Sequence, residues 1–541
     1  MKNKILLSVK DLKIEGIHKD GWQEIVKGVS FDLAKGEVLG LIGESGAGKS
    51  TIGLATLGFC RAGCRISNGQ IMLAGKDVTL MQSIEKRKLR GDHASYVAQS
   101  AAASFNPSHR LIKQFSEVLL LRKLMSQNQA HERAVELYKK LLLPNPEKIG
   151  LRYPHQVSGG QLQRAMIAMA MGPSPELIVF DEPTTALDVT TQLEVLMAIK
   201  EVIKSNDTGV IYITHDLAVV SQIADRIIVL RYGKMVEEGE TRELLSNPQQ
   251  KYTQELLNVR AGWEQKVSGQ EQARPIIEIS NLTGGYEKGK PIVHDINITV
   301  DKGRTLAVVG ESGSGKTTLA KAIVGLLPYL QGSIRFENKP LSINVEQRSK
   351  ELLRRIQMVY QMPDVALNPR QKIRTIIGRP VDYFFKKTQQ DREKKIIELL
   401  EMVELPGDYI DRLPRELSGG EKQRVCIARA LAAEPIVIIC DEVTSALDQL
   451  VGKQILELLR DLQKKTAMTY IYITHDLDTV KIIADTVAVM RNGRIVEMGS
   501  KQEIFQPPHH EYTELLLASV PQMDPDWLDT VIAERGQTLR G

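Results

Sequence analysis

Two copies of one phosphate-loop pattern, each entered by a short apolar run, constrain this 541-residue chain more than any other feature. Gly43-Glu44-Ser45-Gly46-Ala47-Gly48-Lys49-Ser50 returns as Gly310-Glu311-Ser312-Gly313-Ser314-Gly315-Lys316-Thr317. Each fits G-x-x-x-x-G-K-[S/T], a loop that lays backbone N–H groups around nucleotide phosphates. Lys49 and Lys316 are placed to neutralise the terminal phosphates, and Ser50 and Thr317 to put a hydroxyl on Mg²⁺. One copy could be a chance glycine turn. Two copies are not, and the chain is read as holding two nucleotides.

Later motifs repeat as well. The two loops lie 267 positions apart, whereas Ser158 and Ser418, Asp181 and Asp441, and Thr214 and Thr474 each lie 260 apart. Length changes are therefore confined to the stretch between loop and Ser-Gly-Gly. Two large copies make a tandem domain duplication rather than a solenoid. The expected organisation is a first domain over 1–258, a polar linker over 259–275 without apolar periodicity, and a second domain with its tail over 276–541.

Each half reads as α/β. Val38-Leu39-Gly40-Leu41-Ile42 and Leu306-Ala307-Val308-Val309 run into the loops. Leu177-Ile178-Val179-Phe180 and Ile436-Val437-Ile438-Ile439 end at Asp-Glu pairs, while Val210–Ile213 and Tyr470–Ile473 end at Thr-His-Asp. Short, continuous, β-branched runs suit strands buried on both faces of a largely parallel sheet, with ligands beyond their carboxyl ends. The stretch from Gln99 to Ser158 has few strand signals, and Ala130 to Leu143 has helical periodicity, so a helical subdomain is expected there.

The polar residues at those strand ends carry the candidate chemistry. Asp181 and Asp441 can hold Mg²⁺ through water, and Glu182 and Glu442 can orient and deprotonate an attacking water. Taken singly, each pair could equally be a turn or a helix cap. Gln99 and Gln361 can touch both metal and water, although alone either reads as a surface residue. His215 and His475 follow their strands, where an isolated histidine is more often structural. Ser158-Gly159-Gly160-Gln161 and Ser418-Gly419-Gly420-Glu421 each precede a helical segment, offering a hydroxyl and N–H groups to a terminal phosphate.

The totals exclude other classes. Lys and Arg number 71 against 66 Asp and Glu, and no basic stripe marks a nucleic-acid surface. Cys60, Cys64, Cys426 and Cys440 are too few and too scattered for a disulfide framework, and Cys60/Cys64 lack a second pair for a metal site. The N-terminus does not read as a signal peptide. No apolar run approaches the roughly 20 residues of a membrane span, so a membrane role would need separate spanning partners.

As an ordered set, the loop, Gln, Ser-Gly-Gly, Asp-Glu, Ala-Leu-Asp (Asp188, Asp448) and His resemble the ATP-binding cassette family over nearly the whole chain. The resemblance implies two cassettes, each with a mainly parallel core sheet, an N-terminal antiparallel β part and a helical subdomain, closing head to tail around ATP and Mg²⁺. One site would join Lys49, Asp181, Glu182 and His215 to Ser418 and Gly420. The other would join Lys316, Asp441, Glu442 and His475 to Ser158 and Gly160. Thr51 and Thr318 extend the phosphate loops, Gln161 and Glu421 extend the Ser-Gly-Gly motifs, and Gln99 and Gln361 reach metal and water. Tyr286 is the implied adenine-stacking residue of the second half; Gly16-Ile17-His18 occupies that region of the first. Val157 replaces the usual Leu, Glu421 the usual Gln, and Val443 stands where Pro183 does. None of these removes a catalytic group, so both sites are expected to hydrolyse ATP.

Asn247-Pro248-Gln249-Gln250-Lys251-Tyr252-Thr253 and Gln506-Pro507-Pro508-His509-His510-Glu511-Tyr512-Thr513 are similar to the tails of the oligopeptide/dipeptide/nickel importer ATPases. Ser104-Phe105-Asn106-Pro107 and Ala366-Leu367-Asn368-Pro369 resemble the same group. The implied system has two separate transmembrane permease subunits, met by the Gln99–Pro107 and Gln361–Pro369 regions, and an extracytoplasmic binding protein, with this chain on the cytoplasmic face of the membrane. No cysteine follows Tyr252 in the first tail or Tyr512 in the second, so no iron–sulfur cluster is expected. A soluble tandem cassette protein acting on ribosomes or nucleic acid is the competing class. The short linker, without a long charged helix pair, weighs against it. An exporter ATPase is the third reading, disfavoured by the Tyr-Thr tails.

Overall fold

The computed structural model describes residues 4–18, 21–185, 187–204, 207–261, 274–287 and 289–538. Most of the linker expected at 259–275 lies outside these residues. The chain divides into two compact units, one of residues 1–187, 191–259 and 521–541, the other of 188–190 and 260–520.

In the first unit, Val38–Ile42, Leu177–Asp181 and Gly209–Ile213 are strands with every residue buried. They pair in parallel with each other, with Ala94–Val97 and with Arg226–Arg231. Lys234–Glu240 closes one edge in antiparallel sense, which completes a six-stranded sheet. Burial on both faces explains why these segments are near-continuous apolar runs rather than alternating. A second, antiparallel sheet contains Ile5–His18, Gly21–Ala34 and Cys64–Leu73, with apolar residues on its inner face. The helices Leu111–Leu121 and Gln127–Lys140 make up much of the expected helical part. The latter starts ahead of the periodic stretch because Ser126 and Gln129 form a capping box, and it stops at Lys140.

The second unit repeats the plan. Its six-stranded sheet has Thr305–Val309, Val437–Asp441 and Thr469–Thr474 in the fully buried centre, with Arg494–Ser500 antiparallel at one edge. Pro275–Gly284, Val293–Asp301 and Tyr329–Phe336 form the antiparallel sheet. Ile373–Phe385 and Gln389–Met402 are its helical counterparts. The sequence-level fold reading therefore holds in both copies, although the strand expected from Ile436 starts at Val437 and runs through Asp441.

The C-terminal segment, within the first unit, makes three backbone hydrogen bonds to one buried amide. Gln222, almost fully buried, donates through Nε2 to the carbonyls of Gln522 (2.6 Å) and Asp524 (3.0 Å), and its Oε1 accepts from Leu528 N (3.0 Å). Leu528 is buried completely, and Lys200 pairs with Asp529 at 2.9 Å. Among the described residues no helix is long and apolar enough to cross a membrane.

Candidate active sites

Each phosphate loop leaves the carboxyl end of a central strand and turns into a helix, Lys49–Thr56 in one unit and Lys316–Val324 in the other. Gly43 and Gly310 must be glycine. A Cβ on either would lie 2.0 Å from Leu230 O or 2.1 Å from Met490 O, and the φ values are 146° and 153°. Lys49, buried, donates to Gly43 O (2.6 Å) and Glu44 O (2.8 Å); Lys316 donates to Gly310 O and Glu311 O, both at 2.8 Å. The ammonium is thus folded back over its own loop, where phosphate oxygens can take it over. Ser45, Gly46, Ser312 and Gly313 form the exposed crest; Gly48 and Gly315 are the N-caps, followed by Thr51 and a buried Thr318 in the helices.

The strand-end carboxylates meet these loops. Ser50 Oγ donates to Asp181 Oδ1 at 2.7 Å, and Thr317 Oγ1 to Asp441 Oδ1 at 3.2 Å. A hydroxyl and a carboxylate converging in this way are hard oxygen donors of the type Mg²⁺ prefers. Tyr96 also donates to Asp181, at 2.6 Å, and the matching residue of the second unit is Met358. Burial pushes Asp441 up to about 6, helped by the neighbouring Glu442 and opposed by the Thr317 hydroxyl.

Glu182 and Glu442 stand one residue beyond, both with positive φ (48° and 50°) and each donating its N–H to a strand carbonyl, Ile213 O or Ile473 O, at 2.9 Å. This left-handed turn is strained for a non-glycine residue and sets the carboxylate past the end of the sheet. Gln99 Nε2 donates to Glu182 at 2.8 Å and Gln361 Nε2 to Glu442 at 2.7 Å. His215 Nδ1 lies 3.4 Å from Glu182 and His475 Nδ1 3.3 Å from Glu442. Burial alone would raise both glutamates, but the histidine and the loop lysine outweigh it and hold each carboxyl below its ordinary value. Against their own burial, the same pairing lifts both histidines. Each unit therefore brings its loop, Asp, Glu, Gln and His together.

The Ser-Gly-Gly motifs are helix N-termini. Ser158 and Ser418 are the N-caps of Gly159–Met171 and Gly419–Leu431, and both form capping boxes with the residue three positions on. Gln161 and Glu421 supply the other half of each box, accepting from the serine N–H at 3.3 and 2.7 Å. Glu421 takes a further bond from Tyr409 at 2.7 Å, which accommodates a carboxylate where the family has an amide. Gly160 and Gly420 are required by packing, since a Cβ would lie 2.1 Å from Thr191 Cγ2 or 2.4 Å from Val451 Cγ1. Tyr286 is half exposed and accepts from Lys321 Nζ at 3.1 Å. Sequence reasoning missed Tyr96, whose counterpart is Met358, and Thr185, which donates to Glu182 at 3.0 Å and whose hydroxyl recurs in the repeat at Ser445, a signal that could have found it.

The sequence profile of the ABC transporter family matches residues 26–185 and 293–445. A second profile, the oligopeptide/dipeptide transporter C-terminal region, matches 236–278 and 496–540. The chain is 37% identical to the peptidoglycan transport ATP-binding protein YejF of Agrobacterium fabrum, over 95% of this chain and 96% of that protein. It is 36% identical to the glutathione import ATP-binding protein GsiA of Salmonella choleraesuis, and 35% identical to that of Escherichia coli, over 96% of this chain and 90% of theirs. Two cassette-profile matches and a likeness to these relatives along almost the whole length place this chain in the ABC transporter family, as a tandem ATPase.

Proposed function

We propose that this chain is the ATP-hydrolysing subunit of an importer for peptides or related small solutes, working with two separate transmembrane permease subunits at the cytoplasmic face of the membrane. One observation carries the reading: the oligopeptide/dipeptide transporter C-terminal region follows both cassettes. Relatives named for glutathione import and peptidoglycan transport support it over a soluble protein of ribosomes or nucleic acid. An extracytoplasmic binding protein would deliver the solute.

The chemistry follows from the residues. Ser50, Asp181 and Gln99 in one cassette, and Thr317, Asp441 and Gln361 in the other, would hold Mg²⁺, which neutralises charge on the phosphates. Lys49 and Lys316 exchange loop carbonyls for phosphate oxygens. Glu182 and Glu442, ionised at neutral pH and steadied by Gln99 and Gln361, orient the attacking water and take its proton. His215 and His475 keep those carboxylates charged and in place. Ser158 and Gly160, with Ser418 and Gly420, complete the sites when the cassettes pair head to tail on ATP. Closure would switch the permease from one access state to the other, and hydrolysis would reopen it. The Gln99–Pro107 and Gln361–Pro369 segments would transmit this; Met362 and Val365 in the latter are exposed apolar side chains.

The test is affinity purification of the chain from gently solubilised host membranes. Two polytopic subunits in stoichiometric amounts support the importer reading, the more so with an extracytoplasmic binding protein present. Recovery with ribosomes, nucleic acid or no membrane protein overturns it.

A further inference from the structure

The Pro…Tyr-Thr tails mark a subfamily in the sequence, yet the reaction as described gives them no part to play. In both units the tail tyrosine reaches the phosphate loop. Glu44 N–H donates to Tyr252 OH at 3.2 Å, and Glu311 N–H donates to Tyr512 OH at 3.2 Å. Both tyrosines are buried, 4% and 1% exposed. Each ring is roofed by the arginine that ends a core strand, Arg231 at 4.3 Å from the Tyr252 centroid and Arg491 at 4.6 Å from that of Tyr512. The tail itself is pinned to the sheet edge, where Glu237 accepts from Gln249 N and Gln250 N, and Glu497 from His510 N.

The N–H that the tyrosine holds belongs to the same peptide group whose carbonyl the loop lysine holds. Tyr252 takes Glu44 N–H while Lys49 Nζ takes Gly43 O; Tyr512 takes Glu311 N–H while Lys316 Nζ takes Gly310 O. One peptide plane at the start of each loop is therefore fixed from opposite sides. When ATP binds, the lysine's N–H donors are shared with the phosphates, which weakens its hold on that carbonyl. The tyrosine's hold on the N–H is then the firmer of the two.

We propose that Tyr252 and Tyr512 are positioning residues of the two ATP sites, through which the tails keep the phosphate loops in their binding shape while the lysines serve the nucleotide. Because the lysine supports the peptide more firmly in the nucleotide-free protein, losing the tyrosine hydroxyl penalises the ATP-bound state more. This inference rests on ATP binding by the loops and is independent of the importer reading.

The experiment uses the full chain with Tyr252→Phe and Tyr512→Phe, together and singly, and Tyr470→Phe as a comparison. Tyr470 is a buried core tyrosine whose hydroxyl donates to Leu459 O at 3.0 Å, so its loss costs a hydrogen bond of similar kind elsewhere. The double variant should bind ATP more weakly by equilibrium dialysis, by up to about fivefold, the ceiling set by losing one hydrogen bond of about 1 kcal/mol from the bound state alone. Its KM should rise by a similar factor with kcat at saturation within about twofold. Tyr470→Phe should lower Tm without changing ATP affinity. If the double variant fails to fold, the single variants are read in the same way, each expected to lower the affinity of one of two binding phases. Unchanged ATP affinity and KM in the Tyr252 and Tyr512 variants, with only a lower Tm, would overturn the proposal.

Discussion

Tyr96 donates its hydroxyl to Asp181 at 2.6 Å, whereas the residue in the same register beside Asp441 is Met358. Two sites with the same motifs thus differ in how the strand-end aspartate is supported. Asp441 is left with the Thr317 hydroxyl at 3.2 Å and is pushed up to about 6 by burial.

That difference sets a pH dependence. A carboxyl raised in the folded state favours folding when protonated. Its contribution is complete below the ordinary value of 3.8 and is lost as pH rises through about 6. In nucleotide-free protein, Asp441→Asn should therefore raise Tm at pH 8, on a scale of about 2–4 °C per kcal/mol, and leave it unchanged near pH 3.5. Met358→Tyr, which supplies a donor to the carboxylate, should also raise Tm at pH 8. Thermal unfolding across this range checks both; a pH-independent effect of Asp441→Asn contradicts the assignment.

The Glu442–His475 pair has the opposite profile at its acid end. Glu442 is depressed, so its contribution is present above 4.5 and lost as pH falls through its lowered value. His475 is raised, so its contribution is present below 6.5 and lost as pH rises through its elevated value. Both are charged between those limits. The Tm difference between wild type and His475→Ala should be largest between pH 4.5 and 6.5 and shrink by pH 9. A difference that is flat with pH would mean that the histidine acts by packing alone.

Gln222 supports a stability prediction in the first unit. Its amide holds three backbone groups of the C-terminal segment, and in the repeat its position is Ile482. Gln222→Leu removes those hydrogen bonds and leaves the buried Leu528 N–H without this partner, at about 1–3 kcal/mol. Differential scanning calorimetry should show the transition of the first unit lowered and that of the second unchanged. Truncation after Val520 should do at least as much. Equal lowering of both transitions would contradict an attachment confined to the first unit.

Much of the fold and site is legible from residue order. The central strands are continuous runs such as Leu177–Phe180, and the polar residues at their ends mark the carboxylates that meet the phosphate loops. The repeat then separates motif from chance: Gln99 and His215 mean little alone, but Gln361 and His475 recur in the same order. What stays hidden lies off that pattern. Tyr96 has no tyrosine counterpart, and its bond to Asp181 depends on pairing between strands some 80 residues apart. Tyr252 and Tyr512 are visible as a tail signature, but their partner is a backbone N–H, which has no residue type to read. Gln161 and Glu421 read as nucleotide ligands; in the structure their side chains cap their own helices, a competing use of the same motif.

The central claim is that both cassettes hydrolyse ATP and that each depends on its own glutamate. Steady-state ATP turnover of Glu182→Gln and Glu442→Gln, each made singly in the full chain, tests it most directly. Removing a general base costs on the order of 10²-fold or more at its own site, and coupled sites stall together. Each single variant is predicted to fall more than about tenfold below wild type, with ATP binding retained. Near-normal turnover in either variant would show that its site does not contribute to hydrolysis and would contradict the account.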